Sequence, residues 1–138
     1  MGAYTRINVD ESYRLGIELS AVVRPIDELD IYAGFTYSEN KIASFTEYVD
    51  NYDDPNYEQT QIDHENTDMA FSPNMIGNVG FNYKPFEGLA LNWMTKYVGD
   101  QFLDNTSNQD RKIDAFTYSN VSLNYTVEDF IFKSITIG

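Results

Sequence analysis

The chain has no cysteine in its 138 residues. That excludes a disulfide framework and thiolate metal sites, and it fits either a cytosolic or a bacterial-envelope setting. No run of about 18 apolar residues occurs, so no transmembrane helix is expected. A membrane β-barrel stays open, because its strands alternate and score as polar overall. The start, Met-Gly-Ala-Tyr, lacks a basic stretch followed by an apolar core, so no signal peptide is expected. Positive charge is scarce: nine Lys and Arg stand against 22 Asp and Glu, for a net charge of −13. Phosphate binding needs the opposite balance, which argues against a nucleic-acid partner. No stretch reads as a sustained amphipathic helix.

What is present favours strands. Apolar residues make up 42% and aromatics 15%, enough for one folded domain rich in ring-bearing strands. Tyr13–Arg24 alternates, with Leu15, Ile17, Leu19, Ala21 and Val23 on one face and Arg14, Gly16, Glu18, Ser20 and Arg24 on the other, and only Val22 breaking the pattern. Period two with two environments predicts a strand, which Pro25 ends. Residues 26–28 form a tight turn into a strand over Leu29–Tyr37, fading toward Phe45. Met75–Lys84 is the next strand, 85–88 a short turn, and Leu89–Phe102 a further strand with Leu89, Leu91, Trp93, Thr95 and Tyr97 on one face. Ala115–Val127 and Phe130–Gly138 follow, with a possible strand remnant at Thr5–Asp10. Two long polar segments intervene. Thr46–Pro73 holds eight acids (Glu47, Asp50, Asp53, Asp54, Glu58, Asp63, Glu65 and Asp68) and no Lys or Arg, and 103–114 is the second.

Connections therefore run short, long, short, long, short. In an antiparallel meander, alternate connections lie at the same end, so short turns collect at one end and long loops at the other. Bacterial outer-membrane barrels have this asymmetry. The predicted strands are also longer than the ~5–6 residues usual in soluble sheets. Phe35 and Tyr37, Phe81 and Tyr83, and Trp93 and Tyr97 lie toward strand ends, as interfacial girdles do. The expected fold class is all-β: an antiparallel up-and-down meander of about six strands, part of a larger transmembrane β-barrel.

Three stretches carry a family resemblance. Tyr97-Val98-Gly99-Asp100-Gln101-Phe102-Leu103-Asp104-Asn105-Thr106, running into Asp110-Arg111-Lys112-Ile113-Asp114, resembles the late barrel strands of TonB-dependent outer-membrane receptors, nearest the Bacteroidota branch. Gly16-Ile17-Glu18-Leu19 resembles their recurrent Gly-x-Glu, and Phe71-Ser72-Pro73 their strand-opening Ser-Pro. The resemblance covers nearly the whole chain. It implies a barrel of about 22 strands with an N-terminal plug domain. Such receptors take up siderophore–iron, cobalamin or glycans with energy from the inner-membrane TonB complex. Plug, TonB-contacting segment and terminal strands are not recognisable here, so the chain is expected to be a fragment, 1–138 of a partial barrel domain.

Other chemistry is weighed residue by residue. The acidic segment Asp50–Asp68 offers carboxylates to Ca²⁺. Asp50-Asn51-Tyr52-Asp53-Asp54 lacks the spacing of an EF-hand, however, and a solvated loop is the plainer account. His64 has no metal partner at helical spacing. Acids in loops and on polar strand faces do not define the carboxylate pair of a glycosidase, and neither Gly-x-Ser-x-Gly nor a phosphate-cradling loop occurs. Tyr32, Trp93 and Tyr97 offer a sugar-stacking platform, set against plain lipid-facing or core rings.

The leading reading is therefore a non-enzymatic receptor segment in the Gram-negative outer membrane. It has no cofactor, no catalytic residue and no metal site. Its odd-numbered faces meet lipid, its even faces meet lumen and plug, and its two long loops meet ligand without assignment to individual residues. The resemblance leans toward siderophore–iron. The alternative is a soluble antiparallel barrel or sandwich binding a glycan or small apolar ligand, with the same odd faces as its core.

Overall fold

The structure, a computed structural model, describes residues 9, 11–53, 58–128 and 134–137. Among the described residues nine strands are formed: β1 (Ser12–Ile26), β2 (Leu29–Asp50), β3 (Gln59–Asp68), β4 (Met75–Tyr83), β5 (Leu89–Val98), β6 (Gln101–Phe102), β7 (Lys112–Ile113), β8 (Phe116–Glu128) and β9 (Ser134–Ile137). Seven of them make one sheet in the order β1-β2-β4-β5-β8-β9, with β3 also on β2, and β6–β7 form a separate ribbon. Every pairing is antiparallel. The all-β meander expected from period two is thus present, and β1 and β9 do not pair with each other, so the sheet is open. The expected remnant at Thr5–Asp10, apart from Val9, and the first residues of the strand expected from Phe130 lie outside the described residues.

Local chemistry explains the turns. Ile26 pairs with Leu29 across a two-residue turn, and the register shifts between Val23 and Ile26, where Pro25 has no N–H to give. Between β4 and β5, Gly88 takes φ 85°, a left-handed conformation glycine adopts without steric cost. Its carbonyl accepts from Thr126 N at 2.8 Å, which ties the turn to β8.

Register then preserves parity. Val23 opposes Ile31, Ile31 opposes Phe81, Phe81 opposes Trp93 and Trp93 opposes Val121. Odd residues thus share one face in β1, β2, β4, β5 and β8. No second layer covers that face: Leu15, Ile17, Leu19, Val121 and Leu123 are each more than half exposed, and Ile42 is the one buried hydrophobic residue among those described. A soluble sheet must bury its apolar face against another element, and this sheet leaves it open.

Two expectations need correcting. Thr46–Pro73 is not simply a loop: β2 continues to Asp50 and β3 returns along it, from Asp50↔Gln59 to Lys41↔Asp68. This polar ribbon is held by cross-strand pairs, Thr46 Oγ1 to Asp63 Oδ1 and Gln59 Nε2 to Asp50 Oδ1, each at 2.7 Å. The strand expected over Leu89–Phe102 ends at Val98, and the following segment turns away into β6–β7.

Candidate functional site

The connections β1–β2, β4–β5 and β8–β9 lie at one end of the sheet, and the longer excursions after β2, β3 and β5 at the other. At that second end, 69–74 leaves the plane of the sheet between β3 and β4. Its roots are backbone bonds to the β2 edge, Met69 N to Asn40 O at 3.0 Å and Ser38 N to Asn74 O at 2.9 Å. Its middle reaches over the even face. Arg14, which opposes Asn40 on β1, donates from Nη2 to Ser72 Oγ at 3.4 Å. Ser72 Oγ in turn donates to Ala70 O at 3.1 Å. Asn40, Ile42 and Thr67, on the even face of the β2–β3 ribbon, are the buried non-glycine residues here, at 5%, 3% and 6% exposure.

Segment 99–114 docks against this crossing. Phe71 N donates to Phe102 O at 2.9 Å, Ala70 N to Asn105 Oδ1 at 2.8 Å, and Asp68 N to Ser107 Oγ at 2.7 Å. The Ser107 hydroxyl donates back to Asp68 Oδ2 at 3.3 Å. Three non-glycine residues adopt positive φ near this junction: Asn66 (51°), Phe71 (52°) and Ser107 (54°). Such conformations cost of order 1–3 kcal/mol each for non-glycine residues and persist only where surroundings enforce them. The result is a hydrogen-bonded shelf on the even face, made of 69–74 and 99–114.

Several of the charges here are paired, while Asp110 and Asp114 have no ion pair among the described residues. Lys41 Nζ sits 2.8 Å from Asp68 Oδ1, both side chains less than a fifth exposed. Arg111 Nη1 meets Asp104 Oδ2 at 2.7 Å, and Lys112 pairs with Asp100 while lying 5.7 Å from the centre of the Phe102 ring. The Lys112 hydrogen bond holds the Asp100 carboxyl below its ordinary value. At Asp104 partial burial pushes upward, but the hydrogen bonds from Arg111 and from the Thr106 hydroxyl and N–H outweigh it, and the net direction is also down.

The residues singled out from the sequence do not converge. Glu47 accepts from or pairs with His64 Nε2 at 2.8 Å, and the His64 ring stacks on Phe45 at 4.9 Å. Asp63 bonds Thr46, Asp50 bonds Gln59 and Asp68 pairs with Lys41; Asp54 lies outside the described residues. Among the described residues no group of three His, Asp or Glu is placed to hold a metal. Tyr32, Trp93 and Tyr97 do not form a platform. Tyr32 opposes Gly80, whose other partner is Met94, so its ring is on the even face while Trp93 and Tyr97 are on the odd one. The ring pairs Phe35/Tyr37, Phe81/Tyr83 and Trp93/Tyr97 do share the odd face. Sequence reasoning missed the shelf residues Arg14, Phe71, Asn105 and Ser107. The one local signal was the turn-forming run Asn105-Thr106-Ser107-Asn108, in which Asn108 Oδ1 accepts from Asp110 N at 2.9 Å.

An open antiparallel sheet, apolar and uncovered on one face, polar on the other, and loop-rich at one end, describes part of a barrel wall. The family model described as "TonB dependent receptor-like, beta-barrel" matches residues 1–138. That family comprises receptors and transporters rather than an enzyme class, and its full-length members carry a plug domain and engage TonB. The chain belongs to the TonB-dependent receptor β-barrel family.

Proposed function

We propose that residues 1–138 form a section of the barrel domain of an outer-membrane receptor in a Gram-negative envelope. The plug and the rest of the wall belong to the same receptor, and its task is TonB-energised uptake of a ferric siderophore. The observation that carries the wall reading is the uncovered odd-numbered face. In a soluble barrel or sandwich these side chains would be core; against lipid tails they need no second layer.

Dimensions support it. On the odd face, Tyr37 opposes Met75, and Met75 stands level with Gly99, one step beyond the Ile76↔Val98 pair. Tyr125 opposes Leu89. Ten residues of β5 register (99 − 89) separate these rings, about 33 Å along a strand. At a tilt of about 40° that projects to about 25 Å, the height of a membrane barrel's apolar band. The 22 residues of β2 span about 70 Å, far more than the ~9–11 residues a crossing needs. The β2–β3 ribbon and the shelf therefore project beyond the bilayer, on the extracellular side where long loops belong. The siderophore cargo rests on the family resemblance of 97–114.

The wall reading is tested by nitroxides placed singly on the receptor in bilayers at Val79, Leu91 and Val121, then at Asn78, Asn92 and Asn120. The odd set should be relaxed by oxygen and the even set by a water-soluble nickel chelate. The opposite pattern overturns the orientation. TonB-dependent accumulation of siderophore-bound ⁵⁵Fe tests the cargo; TonB-dependent uptake of a glycan instead would overturn the cargo and leave the wall intact.

A further inference from the structure

The β2–β3 ribbon has an open outer edge. Among the described residues β3 pairs with β2 and with no other strand. Met69 N donates to Asn40 O. Counting back in twos, residues 67, 65, 63, 61 and 59 turn their backbone N–H and C=O toward β2, and residues 66, 64, 62 and 60 turn theirs away. Asp68 N, also on the outward side, is taken by Ser107 Oγ. Over 60–65 no hydrogen bond meets the outward backbone groups among the described residues. Such a row of unpaired donors and acceptors is a template for one more strand. Edges are commonly blunted by lysine, proline, a bulge or a covering loop. Gln59–Asp68 contains no lysine or proline, and its register on β2 runs without a shift.

Side chains along this edge sort by face. Asp63 and Glu65 lie on one face, opposite Thr46 and Ser44, and Ile62 and His64 on the other, opposite Glu47 and Phe45. Glu47 is met by His64, and Asp68 by Lys41. Asp63 and Glu65 are exposed, and neither has an ion pair among the described residues. Residues 46–73 include no Lys or Arg, so nothing in the ribbon beyond Lys41 answers its carboxylates. Ile62 is 42% exposed. A strand laid on this edge would set alternate residues about 5 Å from Asp63 and Glu65, and those between them at a similar distance from Ile62. Opposite charges facing each other across strands are favoured and like charges are not. A second copy of the ribbon would bring acid against acid. The edge fits an extended polypeptide with Lys or Arg at every second position and apolar side chains between.

We propose that the outer edge of β3, over 60–65, docks an extended basic segment of a partner polypeptide as an added strand. The backbone of Thr60, Ile62 and His64 supplies the hydrogen bonds, Asp63 and Glu65 pair with the cations, and Ile62 meets the apolar residues between them. This surface stands on the ribbon alone and is independent of the cargo.

The test uses the whole receptor in detergent and a fluorescent, acetylated peptide that alternates lysine with valine along the length of β3. Two control probes are the same peptide N-methylated along its backbone, which keeps the charge and loses the donors, and a peptide alternating glutamate with valine. The receptor should bind the first probe and neither control. Binding should slow hydrogen exchange at the Ile62 and His64 amides. Asp63→Asn combined with Glu65→Gln should bind about tenfold more weakly; the asparagine keeps an oxygen for Thr46, so the ribbon stays intact. A receptor that does not bind the lysine–valine peptide overturns the proposal. So does equal binding of the N-methylated probe, which would mean charge attraction without an added strand, and so does unchanged affinity in the double variant. A receptor dimer that Ile62→Pro dissociates would give the edge to a second copy and overturn it as well.

Discussion

Gly80 and Gly77 lie three residues apart on β4, and alanine should act on them with opposite sign. Gly80 is on the even face between Tyr32 and Met94. A Cβ there would fall against the Trp93 carbonyl oxygen and 2.6 Å from Tyr32 Cζ. The carbonyl belongs to the neighbouring strand's backbone and cannot swing aside as a side chain can. Overpacking of this kind costs about 1–3 kcal/mol, against which alanine recovers about 0.5–1 kcal/mol of glycine's backbone entropy. Gly77, on the odd face, has its nearest neighbour, Gly34 O, at 3.8 Å from the same virtual atom, so only the favourable part applies. Gly80→Ala should lose about 1–2 kcal/mol and Gly77→Ala gain about 0.5 kcal/mol. The assay is reversible urea unfolding of the receptor in lipid, followed by heat-modifiable gel mobility, which does not depend on Trp93. Removing the ring as well, in Tyr32→Ala with Gly80→Ala, should return only part of the loss, because the carbonyl contact remains. Equal stabilities for the two alanine variants would refute the reasoning, as would a more stable Gly80→Ala.

Two further outcomes follow from the shelf. Asp100 and Asp104 titrate below the ordinary carboxylate value of 3.8, so their contribution to docking 99–114 is complete above that value and is lost as pH falls through their lowered values. A nitroxide at Leu103 should keep its mobility from pH 7 to about 4 and loosen only below that; loosening on going from pH 5 to 8 would contradict the assignment. Ser107→Ala removes the acceptor for Asp68 N and the donor to its carboxylate, at about 1–3 kcal/mol for a backbone donor left unpaired. Exchange of the Asp68 amide should then accelerate about tenfold or more, and an unchanged rate would mean that the serine does not hold the segment.

The alternating half of the fold was legible because each of its strands repeats the same contrast. Leu15–Val23, Leu29–Tyr37, Val79–Tyr83, Leu89–Tyr97 and Val121–Val127 alternate, and the register sets odd opposite odd. β3 was not legible, since Gln59–Asp68 contains one strongly apolar residue, Ile62, and a period-two search needs contrast. It is a strand because β2 extends past the other strands and offers it a partner. The Tyr32, Trp93 and Tyr97 platform failed for a reason visible in parity: Tyr32 is even and the other two are odd. The shelf was hidden more deeply. Nothing local marks Phe71 for positive φ, and the turn-forming run at 105–108 is the one local hint for Ser107; bonds to residues some thirty to forty positions away hold both.

The two halves of the structure are held by different forces and should fail under different conditions. The lower sheet makes continuous backbone ladders and leaves one apolar face uncovered, so on the wall reading proposed above its stability depends on the bilayer and little on salt. The β2–β3 ribbon and the shelf have almost no buried apolar surface, Ile42 being the one buried hydrophobic residue described. There the cross-strand pairs Thr46–Asp63, Gln59–Asp50, His64–Glu47 and Lys41–Asp68 contribute roughly 0.2–1 kcal/mol each, and the exposed ion pairs Arg111–Asp104 and Lys112–Asp100 weaken as salt screens them. Such a region opens locally long before the wall does.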